Sequence, residues 1–102
     1  MFEEDFAPRL IQLRTQKGVS ARDMSLSIGQ NPNYIFSIEN GRMLPSMASF
    51  FYICEYLKVT PSEFFDLNNS NPQRYSQLCK ELKRFDSETL ESLAGFIVRV
   101  RN

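Results

Sequence analysis

The chain has 102 residues, of which 42% are hydrophobic and 24% charged, and its formal net charge at pH 7 is zero. This size is that of one small domain or of a small domain plus an appendage, and the composition excludes a disordered tail. Because there is no His and there are only two Cys, the usual zinc ligand sets, a catalytic triad and a His general base are all excluded.

We therefore expect no enzyme, no metal and no cofactor. No apolar run approaches the roughly 20 residues that cross a bilayer, so we expect no membrane partner. The acidic start, MFEEDF, lacks the basic and then apolar order of a signal peptide, which favours a cytoplasmic protein. Cys54 and Cys79 are far apart in the chain, and we interpret them as small core residues rather than a disulfide.

Two helices are predicted before residue 30. The first runs from Phe6 to Lys17, has Pro8 in its first turn and ends at Gly18. Its apolar side is formed by Phe6, Leu10 and Leu13.

The second predicted helix is short. Ser20 is its N-cap, with Asp23 three residues on, and Gly29 closes it. Met24 and Ile28 are predicted to point inward, and Ser25 is small enough for another helix to pass close by.

The third predicted helix covers residues 31–40, within the stretch NPNYIFSIENGR. Asn31 is a good N-cap, Pro32 suits the first helical position, and Asn40-Gly41 ends the helix. An inward stripe is predicted at Tyr34, Ile35 and Ile38. The outward residues, which we call the reading face, are Pro32, Asn33, Phe36 and Ser37. Two short helices joined by a tight turn with a Gly are typical of a helix-turn-helix.

A fourth helix is predicted from the N-cap Ser46 to about Leu57, and a fifth follows the N-cap Thr60. Thr60-Pro61-Ser62-Glu63 combines a capping box with a Pro at the first helical position. The apolar residues of the fourth helix are predicted to lie mostly inward: Met47, Phe50, Phe51, Ile53, Cys54 and Leu57. In the fifth helix, Phe64 and Phe65 are predicted to close the core.

The run DLNNSNP, residues 66–72, is the one clear composition shift and predicts a boundary between units at 1–67 and 68–102. Two amphipathic helices follow, at 72–85 and 87–101, each with an apolar stripe that a lone helix cannot bury. They form either a hairpin within one chain or contacts with a second chain. The candidate dimer residues are Leu78, Leu82, Phe85, Leu90, Leu93 and Ile97.

Residues 9–66 resemble the phage repressor and Cro type of helix-turn-helix domain, also called the XRE family. The residues that carry this resemblance are Arg9-Leu10-Ile11-Gln12-Leu13-Arg14, Gly18-Val19-Ser20, Gly29, Tyr34-Ile35, Ile38-Glu39-Asn40-Gly41-Arg42, Pro45-Ser46 and Val59-Thr60-Pro61-Ser62-Glu63-Phe64-Phe65. The resemblance implies an all-α fold, namely a five-helix repressor-like domain followed by the two C-terminal amphipathic helices.

The resemblance also implies roles for individual residues. The family's base-reading positions fall on Pro32, Asn33, Phe36 and Ser37, and its phosphate-holding positions on Ala21, Asn31, Asn40 and Arg42. Its buried ion pair falls on Arg14 and Glu39. Ala21 replaces a common Gln, so neighbouring Arg22 is expected to supply that phosphate contact. Lys58 stands where a Gly is common after the fourth helix, which reshapes that C-cap.

Two functions fit the sequence. The first is a DNA-binding transcriptional regulator, in the usual mode a repressor, whose homodimer reads a pseudo-palindromic double-stranded operator through the major groove. Asn33 suits adenine and either Pro32 or Phe36 suits a thymine methyl. The second is a protein-interaction module that kept the fold and lost DNA binding. Zero net charge, Ala21, Pro32 and Phe36 favour this alternative.

Overall fold

The computed structural model describes residues 2–102, and over that range the chain forms helices without any strand. In chain order the helices are α1 (Glu3–Lys17), α2 (Ala21–Ser27), α3 (Tyr34–Glu39), α4 (Met47–Leu57), α5 (Pro61–Phe65), α6 (Pro72–Leu82) and α7 (Ser87–Arg101). The predicted all-α fold, five helices followed by two, is confirmed. Within these residues no helix is both long enough and apolar enough to cross a bilayer.

One apolar core joins α1 to α5. Its centre is formed by aromatic rings, with the Phe6 and Phe64 ring centroids 4.9 Å apart and Phe50 packed edge-on against Phe64 at 5.2 Å. The other buried apolar side chains are Leu10, Leu13, Met24, Tyr34, Ile35, Ile38, Ile53, Cys54, Leu57 and Val59. Burial raises the pKa of the Cys54 thiol to about 11, so this residue stays a neutral core group at physiological pH.

Three predicted helix starts have the expected side-chain caps. The hydroxyls of Ser20 and Ser46 accept hydrogen bonds from the backbone N–H groups of Asp23 and Ser49, at 3.0 and 3.1 Å. Thr60 and Glu63 form the reciprocal capping box, because each side chain accepts the other's backbone N–H.

The prediction for the start of α1 was wrong. The helix begins at Glu3 rather than Phe6, so Pro8 is its sixth residue and not part of the first turn. The Asp5 carboxylate accepts the Phe2 backbone N–H at 2.9 Å, and three acidic side chains in the first turn complement the helix dipole. These contacts offset the backbone hydrogen bond that Pro8 cannot donate.

Arg9 is the unexpected member of the interior, with only 2% of its surface exposed. Its Nε donates to the Phe64 carbonyl at 2.6 Å and its Nη2 to the Glu63 carbonyl at 2.7 Å. Its Nη1 donates to Gln12 Oε1 at 2.7 Å. Burial lowers the pKa of the Arg9 guanidinium, while the Asp66 charge acts in the opposite direction. The guanidinium thus ties α1 to the last turn of α5, where the helix dipole favours a cation.

Two residues of α4 contradict the predicted inward face. Met47 is 68% exposed and Phe51 is 52% exposed. The inward face is already filled by side chains at i, i+3, i+4 and i+7, which are Phe50, Ile53, Cys54 and Leu57. Phe51 is rotated by about 100° from Phe50, and Met47 lies at the helix end, beyond the core. Phe65 of α5 is also 45% exposed, so only Phe64 closes the core as predicted.

The C-cap of α4 is Lys58, whose backbone is left-handed with φ 57° and ψ 44°. A side chain in this conformation costs about 1–2 kcal/mol, and the greater freedom of Gly in the unfolded chain offsets part of that. We expect Lys58→Gly to raise the free energy of unfolding by about 0.5–1 kcal/mol in urea denaturation. Lys58→Ala keeps the strained Cβ and should bring no gain; an equal gain in both variants would contradict the explanation.

Among the described residues, the hydrogen bonds that join the C-terminal helices to the domain lie near the start of α6. There Pro72 is buried, Gln73 Nε2 donates to the Leu57 carbonyl at 3.0 Å, and Gln16 Nε2 donates to the Ser70 carbonyl. The predicted end of α6 at Phe85 was wrong, since the helix ends at Leu82. The molecule measures 52 × 25 × 23 Å, and none of the 15 described residues of α7 is buried.

Candidate nucleic-acid interface

The turn between α2 and α3 is set by Gly29. Its backbone is left-handed, with φ 78°, and its N–H bonds the Leu26 carbonyl. The N–H of Gln30 bonds the Ser25 carbonyl at 2.9 Å, which completes a Schellman ending for α2. The chain can therefore reverse within a few residues and enter α3 at the angle of a helix-turn-helix.

The prediction of a helix over residues 31–40 is corrected at its start. α3 begins at Tyr34, and Pro32 lies in a turn closed by the Tyr34 N–H and the Asn31 carbonyl at 3.1 Å. The Asn31 side chain does accept a backbone N–H, that of Asn33 at 3.0 Å, but it forms an Asx turn and not an N-cap. Asn33 is the N-cap residue by position, and its side chain makes no capping bond in the described structure.

Ser25 of α2 supplies the cap that Asn33 does not. Its hydroxyl is fully buried, accepts the Ile35 backbone N–H at 3.0 Å and donates to the Ala21 carbonyl at 2.7 Å. This bond between helices fixes where α3 begins relative to α2. From the sequence, Ser25 was predicted to matter only for its small size. A polar residue next to Met24, on the predicted inward side of α2, is the feature that indicates a buried hydrogen bond.

We expect Ser25→Ala to lower the free energy of unfolding by about 1–3 kcal/mol, because it leaves the buried Ile35 N–H without a partner. The measurement is urea denaturation beside Ser27→Ala, a matched change at an exposed position of the same helix. Ser27→Ala should cost no more than about 0.5 kcal/mol. Equal costs in the two variants would contradict the role of Ser25.

The two sides of α3 differ in burial, and the predicted inward stripe is confirmed. Tyr34, Ile35 and Ile38 are buried in the core. On the reading face, Asn33 is exposed and Phe36 is 52% exposed, whereas Pro32 and Ser37 are half-buried. Among these four residues, Asn33 and Phe36 are the most accessible.

The end of α3 carries two of the predicted phosphate ligands. Gly41, with φ 74°, donates its N–H to the Ile38 carbonyl, and the Arg42 N–H bonds the Ser37 carbonyl, so a Schellman motif ends the helix. Asn40 Nδ2 donates to the Phe36 carbonyl at 2.8 Å. This bond holds the Asn40 side chain against its own helix, while the Arg42 side chain is exposed.

The two other residues predicted to bind phosphate are Arg22 and Asn31, and both lie at or shortly before the start of a helix. Arg22 is exposed in the first turn of α2, and Asn31 is exposed in the turn before α3. The side-chain oxygen of Asn31 accepts the hydrogen bond of the Asx turn, and its amide N–H groups remain available as donors.

An ion pair joins α1 to the end of α3. Arg14 Nε donates to Glu39 Oε2 at 2.7 Å and Nη2 donates to Oε1 at 2.9 Å, while Nη1 donates to the Val19 carbonyl. The two side chains are only 17% and 9% exposed. The hydrogen bonds to Glu39 are the main reason that the pKa of Arg14 is raised above its ordinary value. This two-pronged contact holds α3 at a fixed orientation against α1.

The comparisons with known proteins agree with this geometry. A family model described as a helix-turn-helix domain matches residues 8–70, which include α1 to α5 except for the first residues of α1. No significant match was found among curated proteins or among solved structures. Across residues 2–102 there is no group of three or more His, Cys, Asp or Glu arranged to hold a metal ion.

Proposed function

The chain belongs to the helix-turn-helix domain family, and from this we propose that it is a sequence-specific, DNA-binding transcriptional regulator of the XRE type, acting in the cytoplasm. α3 is the recognition helix and enters the major groove. The observation that carries the proposal is the contrast between its two sides. The inner side is fixed by the core, Ser25 and the Arg14–Glu39 pair, whereas the outer side presents Asn33 and Phe36 to solvent.

Base reading is assigned to the reading face. The Asn33 side chain has both an amide donor and a carbonyl acceptor, the pair that adenine N7 and N6 require in the major groove. Phe36 lies one turn further along the same face, where its exposed ring suits a thymine methyl. Pro32 and Ser37 are half-buried at the edge of this face and contribute shape more than hydrogen bonds.

Phosphate binding is assigned to Arg22, Asn31, Asn40 and Arg42, which are all exposed. Few basic residues of the domain are free for this role. Arg9 and Arg14 are engaged in the interior, and Lys17 Nζ lies 5.1 Å from the Tyr56 ring centroid. We therefore expect a shallow salt dependence of DNA affinity, typical of few phosphate contacts.

The regulator acts as a homodimer, and repression is the mode we assign to it. The six candidate dimer residues of α6 and α7 support a second chain, because none of them is buried within one chain: Leu78, Leu82, Phe85, Leu90, Leu93 and Ile97. A helix of 15 residues with no buried side chain is marginal in water and gains stability by covering its apolar stripe. Two-fold symmetry then gives a pseudo-palindromic operator.

A protein-interaction module remains the second candidate function. The exposed Phe36 and the net charge of zero favour it, because an aromatic anchor without surrounding positive charge suits a protein partner. In that case the reading face binds a protein, and duplex DNA is not retained even at low salt.

The proposed function is tested with Arg42→Ala on duplex DNA of random sequence at several salt concentrations. We expect weaker binding to all duplexes and a salt slope smaller by about one, as for the loss of one phosphate contact. Arg74→Ala, an equally exposed arginine of α6, is the matched control and should leave both quantities unchanged. Equal slopes for wild type and Arg42→Ala would contradict the assignment of Arg42, and no retained DNA would favour the protein-interaction module.

A further inference from the structure

An apolar surface with no role in DNA reading opens where α1 begins. We call it the aromatic cleft. It consists of two adjoining depressions of about 420 and 290 Å³ that share Phe6, Leu44 and Phe65. Several of its side chains are well exposed: Phe2 by 74%, Met47 by 68%, Phe51 by 52% and Leu44 by 45%. A contiguous exposed apolar surface of this kind marks an interaction site.

The rim of the aromatic cleft is acidic. Glu3, which is exposed, lines it, whereas the neighbouring Glu4 lines a different depression together with Ala7 and Ile11. Asp5 follows them, although its carboxylate is engaged with the Phe2 N–H. An occupant of the cleft should therefore combine large apolar side chains with positive charge.

The C-terminal end of α7 has this combination. Phe96 is 55% exposed and Val100 is 68% exposed, and at a spacing of four residues they lie on one side of the helix. They flank the candidate dimer stripe and are not part of it. Arg99, which is exposed in the same last turn, provides the charge next to this side, whereas Arg101 lies about 200° around the helix from Arg99.

The occupant comes from a second chain. α6 is attached at Gln16 and Leu57, near the C-terminal end of α1, whereas the aromatic cleft lies at the N-terminal end of that helix. A helix of 15 residues separates the two ends by about 22 Å. Within the described chain both the cleft and the end of α7 are uncovered. In a two-fold dimer each chain contributes one cleft and one α7, so the contact forms twice.

We propose, building on the homodimer of the proposed function, that the end of α7 of each chain docks in the aromatic cleft of its partner. Phe96 and Val100 fill the cleft, and Arg99 faces Glu3. The contact is charge-matched, which orients the two chains and disfavours other partners.

The test uses two variants of the full chain. The first carries Glu3→Lys, and the second carries Arg99→Glu. Each variant alone places like charges against one another at both contacts, and we expect its dimer dissociation constant, measured by analytical ultracentrifugation, to rise at least about tenfold. In a mixed dimer from an equimolar mixture, one contact keeps the original pair of opposite charges and the other has that pair reversed, so we expect dimers of near wild-type affinity that contain one chain of each.

Controls and contrary outcomes separate this contact from others. Arg74→Glu with Lys80→Glu, at exposed positions of α6, should leave the dissociation constant unchanged, and circular dichroism checks that all variants are helical. Unchanged dimerisation of the two test variants, or weakened dimers that mixing does not restore, would overturn the docking. A wild-type chain that is monomeric at all concentrations would overturn it too. DNA binding by the reading face is measured separately, with Arg42→Ala, so failure of the docking does not count against it.

Discussion

Replacing Arg9 by alanine is expected to lower the free energy of unfolding by about 3 kcal/mol or more. The variant leaves the buried Phe64 carbonyl without its donor, which costs about 1–3 kcal/mol, and it removes one of the two donors of the Glu63 carbonyl, which keeps the Asp66 N–H at 3.3 Å. Loss of the packed side chain adds to this cost. The measurement is urea denaturation at one protein concentration, since association also affects the apparent stability.

Two further variants show why Arg9 matters. Arg9→Lys keeps a positive charge but replaces the planar fork by one ammonium group, which cannot reach both carbonyls in the same geometry. We expect it to recover only part of the loss. Arg22→Ala removes an exposed arginine and should cost no more than about 0.5 kcal/mol. An Arg9→Ala variant as stable as Arg22→Ala would show that the hydrogen bonds of the guanidinium do not stabilise the fold.

Glu39→Ala is expected to cost about 2–3 kcal/mol, because it leaves the Arg14 guanidinium largely buried with only the Val19 carbonyl as a partner. The cost lies below that of a fully buried pair because Arg14 is still 17% exposed. Glu39 is the last residue of α3, so its loss also frees the recognition helix to change orientation against α1. We therefore expect weaker DNA binding in addition to lower stability.

A double-mutant cycle separates the pair from its surroundings. Arg14→Ala with Glu39→Ala should cost less than the sum of the two single changes, because the double variant leaves no stranded charge. Glu55→Ala, at an exposed position of α4, is the matched control for removal of a glutamate. If Glu39→Ala and Glu55→Ala are equally stable, the ion pair does not hold α3 in place.

The parts of the fold that depend on neighbouring residues were predicted well. Helical spacing identifies Leu10 and Leu13 in α1 and Ile35 and Ile38 in α3, and all four are buried. Local caps identify Ser20, Ser46 and Thr60 as helix starts, because each bond spans only three residues.

Contacts between distant residues were not predictable in this way. The carbonyls that make burial of Arg9 favourable are 54 and 55 residues away, so no local pattern shows them. The bond from the Ile35 N–H to Ser25 crosses from one helix to the next and takes over the role expected of Asn31. Hydrophobicity alone does not separate Phe50, which is buried, from Phe51, which the finished core leaves outside.

Prediction of the candidate site requires both the local sequence pattern and the contacts between distant residues. Spacing predicts that Pro32, Asn33, Phe36 and Ser37 share one side of the third helix. The structure leaves Asn33 and Phe36 exposed and Pro32 and Ser37 half-buried. Their exposure depends on the turn before α3, where Pro32 packs partly inward, and this turn is set by an Asx bond and not by a helix start. Which base each residue reads stays a prediction.

The most direct test of DNA reading is selection of binding sites from a random duplex library with the purified chain, at moderate and then higher salt. We predict a two-fold-symmetric site whose half-sites lie about one helical turn, ~34 Å, apart. Added salt should weaken its binding, and Asn33→Ala should relax the preference at one position in each half-site. Recovery of no common sequence, with negligible DNA retained even at low salt, would contradict the proposed function.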